Sequence, residues 1–224
     1  MHEALTDAVR ALQAEADVGQ TLKRAIDLAT TLIDDCDFAG VARVQRGGTI
    51  ETLVSNNLAV VSSDRLQSKL NEGPTLLAMW EEDAVYSPDV ETDHRWPTWG
   101  RQAAQSLGIR SMLCYQLFTT ANSLGVLSLF SQHAGVFDAD ERSAGEVFSA
   151  HVAATIVGAN DQEQLHTAIS SRTTIGQAEG ILMERFDLTA DQSFQVLKRI
   201  SQARQVKLHD IAGELVRTRR TPGK

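Results

Sequence analysis

Cysteine, proline and aromatic residues are all scarce in this chain of 224 residues, which holds two Cys, four Pro, three Trp, two Tyr and seven Phe. Cys36 and Cys114 offer neither a metal-ligand spacing nor a disulfide framework, and both sit among apolar neighbours. Two buried free thiols are therefore expected. No apolar run reaches the roughly 18 residues that a membrane-spanning helix needs, so no membrane partner is expected. The opening Met1-His2-Glu3-Ala4 lacks a basic stretch leading into an apolar core, which argues against a signal peptide and for a cytoplasmic location. A Gly-rich phosphate loop, a metalloprotease motif and a nucleophile elbow are all missing. The chain is accordingly read as non-enzymatic, with no catalytic residue. The acidic run Asp89, Glu91, Asp93 with His94 fits neither a calcium loop nor a zinc helix, and reads as a solvated loop without metal. No proline lies between Pro97 and Pro222, so the strongest helix breaker is absent from that whole region.

Charge is present in quantity but unevenly placed. The net charge is −8, which alone argues against nucleic acid. Residues 170–224 nevertheless carry seven Arg and three Lys against six Asp plus Glu, a net of +4, leaving −12 for the first 169 residues. An acidic front joined to a basic tail is the asymmetry expected when only the tail meets a polyanion.

Periodicity divides the chain further. Leu5, Val9 and Leu12, then Leu22, Ile26, Ala29 and Ile33, predict helix over 2–34, bent or interrupted at Gly19. From Phe38 the period becomes two, and Gly47-Gly48 closes a hairpin into Thr49–Ser55. Helix is predicted over 62–82 with an interruption at Gly73-Pro74. A strand follows at Val85–Val90, then a loop through Pro97 and a short helix over Thr98–Ser106. Ser111–Phe118 and Leu124–Ser131 are the clearest strands. This order is an α+β plan, an antiparallel sheet flanked by helices.

Beyond Phe137 the pattern is helical. Phe148, Val152 and Ile156 mark one face, which Leu165 and Ile169 resume. A helix from about 138 to 186 would run on the order of 70 Å, longer than a small monomer covers, so self-association along it is expected. The heptad is partial, with His151, Thr155, Gly158 and Gln162 in or near the seam, which makes a marginal coiled coil. Ile175, Ala178, Leu182 and Phe186 form an apolar face, and Asp187-Leu188 breaks it. Thr189 stands three residues before Gln192 as a capping box. Phe194, Leu197, Ile200 and Ala203 make a second stripe, and Leu208, Ile211, Ala212 and Leu215 a third. Three short amphipathic helices should pack as a small bundle. Gly176 and Gly180 stand one turn apart in this region, each costing about 1 kcal/mol relative to alanine. Close approach of another helix or of a nucleic-acid backbone would offset that cost.

The tail resembles the ANTAR domain, the RNA-binding module of bacterial antiterminators. The resemblance rests on Ser171-Arg172, Ile175, Ala178, Gly180-Ile181-Leu182-Met183, Ser193-Phe194, Leu197-Lys198-Arg199, Ser201 and Leu208-His209-Asp210-Ile211-Ala212. Three positions depart from it. Glu179 stands where the family usually has Lys, Gly176 where it has an acid, and Gln205 near where it has Asn. The front resembles a GAF domain, a small-molecule sensing module, through Gly73-Pro74, Pro88-Asp89-Val90, Arg95-Trp96-Pro97, Leu107-Gly108-Ile109-Arg110-Ser111 and Leu124-Gly125-Val126-Leu127. These resemblances imply a GAF sensor over 1–158, a helical linker over 159–164 and an all-α, three-helix ANTAR domain over 165–224.

They also imply a homodimer whose tails grip RNA stem-loops, as tandem hairpins, and so prevent transcription termination, with no DNA partner. Arg172, Lys198, Arg199, Arg204 and Lys207 are the cations assigned to RNA, since both cations neutralise phosphate and Arg also stacks on or forks to unpaired bases. Gln177 and Ser201 complete that set. Phe194 is better placed for packing than for base stacking. Trp80, Trp96 and Trp99 with Tyr115 line a pocket for an unidentified planar ligand, or else serve as core and loop anchors. No cofactor is expected, because neither cysteine has a context for bilin attachment or sulfoxide reduction. A signalling adaptor that has lost RNA binding is the alternative, motivated by Glu179 and the overall acidity.

Overall fold

The computed structural model describes residues 2–15, 17–45, 47–118 and 123–220. The expected joint at Thr119–Ser123 falls mostly outside them. The chain divides into two compact units, Met1–Asn160 and Asp161–Lys224.

Unit 1 begins with α1 (His2–Gln13) and α2 (Val18–Leu32). The break between them precedes Gly19, because Asp17 caps α2. Its backbone is extended and its carboxylate accepts from the Gln20 N–H at 3.0 Å. A side-chain cap satisfies an orphan amide, which outweighs the modest helix cost of a glycine inside the first turn. Strands β1 (Phe38–Val44) and β2 (Ile50–Ser55) form the expected hairpin, with Gly47 and Gly48 at φ 97° and 83°. α3 (Leu58–Leu70) starts four residues earlier than its periodicity suggests, since Asn57 caps it through the Ala59 N–H at 2.8 Å. α4 (Pro74–Trp80) follows. β3 (Ala84–Ser87) stops short of Val90, where Pro88 has no N–H for a ladder. α5 spans Pro97–Leu107, β4 Ser111–Phe118 and β5 Ser123–Ser131.

The five strands pair antiparallel in the order β2-β1-β5-β4-β3. Alternation along the pleat divides the core in two. Leu113, Tyr115, Leu117, Leu127 and Leu129 pack with α1, α2 and the first turns of α6 (Ala139–Phe186), through Phe148, Val152 and Ile156. Met112, Cys114, Val126 and Phe130 face the other way and pack with α3, α4 and α5. Tyr115 joins sheet to helix, donating its hydroxyl to the Arg142 carbonyl at 2.8 Å. Gly145 lies against that ring, where a Cβ would come within 2.7 Å of the phenol oxygen. Asp138 caps α6 through the Asp140 and Glu141 amides at 2.6 and 3.1 Å.

Unit 2 is the bundle of the end of α6 with α7 (Ala190–Arg204) and α8 (Leu208–Thr218). Its core is Ala178, Leu182, Leu197, Ile211, Ala212 and Leu215. The capping box at the start of α7 is formed in full. Gln192 N donates to Thr189 Oγ1 at 3.3 Å, and Thr189 N to Gln192 Oε1 at 2.9 Å. Three members of the expected stripes lie outside. Phe186 ends α6, is 51% exposed and is followed by Asp187 in the left-handed region, and Ala203 is exposed on the last turn of α7. Phe194 is half-buried and is not among the side chains packed on this core. Among the described residues no helix is long and apolar enough to cross a membrane.

Candidate nucleic-acid interface and sensor cavity

Seven residues of unit 2 carry the expected RNA contacts, and the structure sorts them into two groups. Arg172 and Gln177 are exposed on α6, Lys198 and Arg199 on α7, and Lys207 at the N-cap of α8. None of these five makes an ion pair among the described residues. Arg204 and Ser201 are engaged within the bundle. Arg204 Nη1 donates to Glu214 Oε2 at 2.9 Å, tying α7 to α8. Ser201 Oγ donates to the Val206 carbonyl at 2.6 Å and is half-buried, closing the α7–α8 turn. That turn also needs Gln205 in the left-handed region at φ 54°, which asparagine and glycine adopt most cheaply.

Gln177 faces a groove between α6 and α8 whose opposite wall includes Arg219. Arg217, Arg219 and Arg220 are exposed, make no ion pair among the described residues, and were absent from the sequence-derived set. Only the +4 charge of the tail signalled them. They follow the last buried residue, Leu215, so no periodicity pointed to their direction. Gly176 and Gly180 are bare, and a Cβ on either would meet nothing within 4 Å.

In unit 1 the four aromatic candidates do not share a cavity. Trp80, 59% exposed, and Trp96 line a cleft of about 350 Å³ at the α3–α4 junction, together with Glu72, Gly73, Glu81 and Arg95. Trp99 is fully buried beneath, edge-on to Trp96 at 6.1 Å between centroids. It sits on the inward face of α5, whose first amides are capped from a distance by Glu72 Oε1, at 2.8 Å from Thr98 N and 3.4 Å from Trp99 N. Tyr115 points to the opposite face of the sheet, because odd-numbered residues of β4 face α2 and α6. Its phenol is pushed up chiefly by burial.

Arginines neutralise much of the acidic loop. Arg95 stacks 4.2 Å from the Trp96 ring centroid, donates to both oxygens of Asp93 at 3.0 and 2.8 Å, and reaches the Tyr86 carbonyl at 2.6 Å. Burial pushes the Asp93 carboxyl up, but hydrogen bonds from Arg95 and Ser87 prevail and hold it below the usual range. Arg110 pairs with Asp89 at 3.1 Å and Glu91 at 3.7 Å. Among the described residues no cluster of His, Cys, Asp and Glu is arranged for a metal. Burial pushes the Cys36 and Cys114 thiols up to about 12, so both stay protonated and poorly nucleophilic near neutral pH.

A GAF domain model matches residues 15–157, and an ANTAR domain model matches 163–216. No curated protein sequence matches. Among solved structures, the GAF domain of an Acinetobacter phosphoenolpyruvate-protein phosphotransferase is 15% identical at a TM-score of 0.56, over 71% of this chain and 93% of that one. The free methionine-R-sulfoxide reductase of Neisseria meningitidis is 15% identical at 0.53, over 71% and 90%. A bacteriophytochrome from R. palustris is 12% identical at 0.65; it aligns with 90% of this chain, which spans 46% of its length. At these identities the likeness is one of fold.

Proposed function

The chain belongs to the GAF domain family and carries an ANTAR domain behind the sensor, and from that premise we propose that it is a signal-responsive, RNA-binding antitermination regulator. The observation that carries this reading is the coincidence of the ANTAR match with a small bundle whose Arg172, Lys198, Arg199 and Lys207 are exposed and free of ion pairs among the described residues. Unpaired cations need break no ion pair to meet phosphate, and each contact releases counterions. Gln177 adds a donor and an acceptor for a base edge.

In this reading residues 1–158 sense, 159–164 link and 165–224 bind RNA stem-loops, presented as tandem hairpins. Two chains associate along α6, which leaves Val147, Ile169, Met183 and Phe186 exposed at 43, 57, 38 and 51%. Pairing would cover them, and the two tails would then engage two hairpins with the avidity of a linked pair. The cleft under Trp80 is the entry for a small-molecule signal. Its occupancy shifts the α6 pairing, a marginal seam being sensitive to a small free-energy change.

Glu179, an acid on the α6 segment of the ANTAR match, favours a second reading, a protein–protein adaptor without RNA affinity. Fluorescence polarisation with a tandem-hairpin RNA, a single hairpin and a scrambled control, at two salt concentrations, separates the two. Selective, salt-sensitive binding that Arg199→Glu abolishes is the expected result. A folded dimer that binds none of the three RNAs, whole or as its isolated dimerised tail, is the adaptor.

A further inference from the structure

Unit 2 has a groove for which its own packing gives no reason. It lies between the last turns of α6 and the end of α8, encloses about 500 Å³, and is walled by Gln177, Gly180, Ile181, Glu184, Val216 and Arg219. Gly180 weakens the helix it belongs to, and the room above it is not taken by any atom of unit 2 within 4 Å of a Cβ. Internal packing therefore does not explain the missing side chain.

The rim is ordered and charged. Arg219 caps α8 in the left-handed region at φ 55°, with its N–H on the Leu215 carbonyl at 2.8 Å. Thr218 Oγ1 donates to the Glu214 carbonyl at 2.7 Å and accepts from Arg220 N at 3.2 Å, which folds the segment against the helix end. Arg219 and its neighbours Arg217 and Arg220 all lie past residue 216, where the ANTAR match ends. Of the groove's lining, Arg219 alone lies beyond the matched segment.

We propose that the groove seats one unpaired ribonucleotide of the bound RNA, an inference that rests on the RNA-binding reading above. Arg219 forks to its phosphate. Ile181 and Val216 lie under the base, and the Gln177 amide meets its polar edge. Bare Gly180 lets the sugar come close to the helix backbone. Glu184 only accepts hydrogen bonds when ionised and repels phosphate, so it takes the 2′-hydroxyl and orients the nucleotide along the groove. A second copy's apolar helix suits the site less well. It would desolvate Arg219 and Glu184, which do not pair with each other, and supply no partner for either.

The test uses the full chain with the tandem-hairpin RNA, and with the same RNA carrying 2′-deoxy nucleotides in its loops. The variants are Gly180→Leu, which fills the groove with a good helix former, Arg219→Gln, and Arg10→Gln as a distant control. Gly180→Leu is expected to keep its helicity and oligomeric mass and to lose at least tenfold in affinity. Arg219→Gln should reduce the slope of log affinity against log salt by about 0.7 to 0.9, one phosphate contact. The deoxy loops should weaken wild-type binding but not binding by Glu184→Ala, which leaves no acceptor for the 2′-hydroxyl. Wild-type affinity and slope in both groove variants would overturn the proposal while leaving the RNA reading intact. A changed oligomeric mass in Gly180→Leu with unchanged RNA affinity would make the groove a seat for a second copy. If neither the wild-type chain nor its isolated dimerised tail binds any of the RNAs, the reading and the proposal fall together.

Discussion

Replacing Asp64 with asparagine should flatten the pH dependence of the stability of unit 1. Asp64 lies on the inward face of α3 and is 2% exposed. Its Oδ2 accepts from Thr52 Oγ1 at 2.6 Å, and its Oδ1 has no partner among the described residues. Burial dominates and pushes the carboxyl up from 3.8 to about 6, against the opposing pull of the Thr52 hydrogen bond. The folded chain therefore holds this proton more tightly than the unfolded chain. The penalty of ionising it is absent below about pH 4, grows as pH rises, and is complete above about pH 6. Two pKa units amount to on the order of 3 kcal/mol, of which about 2 kcal/mol accrues between about pH 4 and pH 7.5. Urea denaturation followed by intrinsic fluorescence, at pH steps across that window, measures it. Asparagine keeps an acceptor for Thr52 and does not ionise. Its spare amide is unmet at every pH, so only the difference between the two pH profiles carries the result. Parallel profiles for wild type and Asp64→Asn would refute the reasoning.

Three further outcomes follow from the same structure. Gly100→Ala would place its Cβ 1.8 Å from the Val90 carbonyl oxygen; backbone cannot yield as a side chain does, so a loss of more than about 3 kcal/mol in unit 1 is expected by chemical denaturation. Thr189→Ala removes one half of the capping box and should cost unit 2 about 1 kcal/mol, read by circular dichroism melts of the full chain. Arg204→Ala breaks an ion pair that is about two-fifths exposed, so it should change stability by less than about 1 kcal/mol and weaken RNA binding far less than Arg199→Glu. A polarisation titration ranking them the other way would show that Arg204 leaves Glu214 for RNA.

The features easiest to read from the chain were those whose cause is local. Gly47-Gly48, Gly73-Pro74 and the Thr189/Gln192 pair each act within four residues, and each appears where its chemistry puts it. The five strands follow from alternation, but the expected run to Val90 overlooked the missing donor of Pro88, which ends β3 at Ser87. Features that depend on distant partners were not legible. Glu72 caps α5 from 26 residues away, and no spacing rule couples them. Trp99 and Tyr115 are aromatic like Trp80 and Trp96, but helix face and strand parity carry them elsewhere. Composition does not record parity. In the tail, charge alone nominated Arg204 equally with Arg199. Only the bundle shows that one is bound to Glu214. Arg219 belongs to the same class, since a residue past the last apolar position has no period to place it.

All three tryptophans and both tyrosines precede residue 161, so unit 2 has no indole or phenol to fluoresce. The intrinsic emission of the whole chain is therefore a private signal of unit 1. Within it Trp96 and Trp99 are shielded, whereas Trp80 stands open over the cleft. A collisional quencher such as iodide reaches Trp80 first, and any molecule that settles in the cleft protects it. The chain thus carries its own dye at the mouth of this cleft, and compounds can be screened against the unlabelled protein by the quenching they prevent.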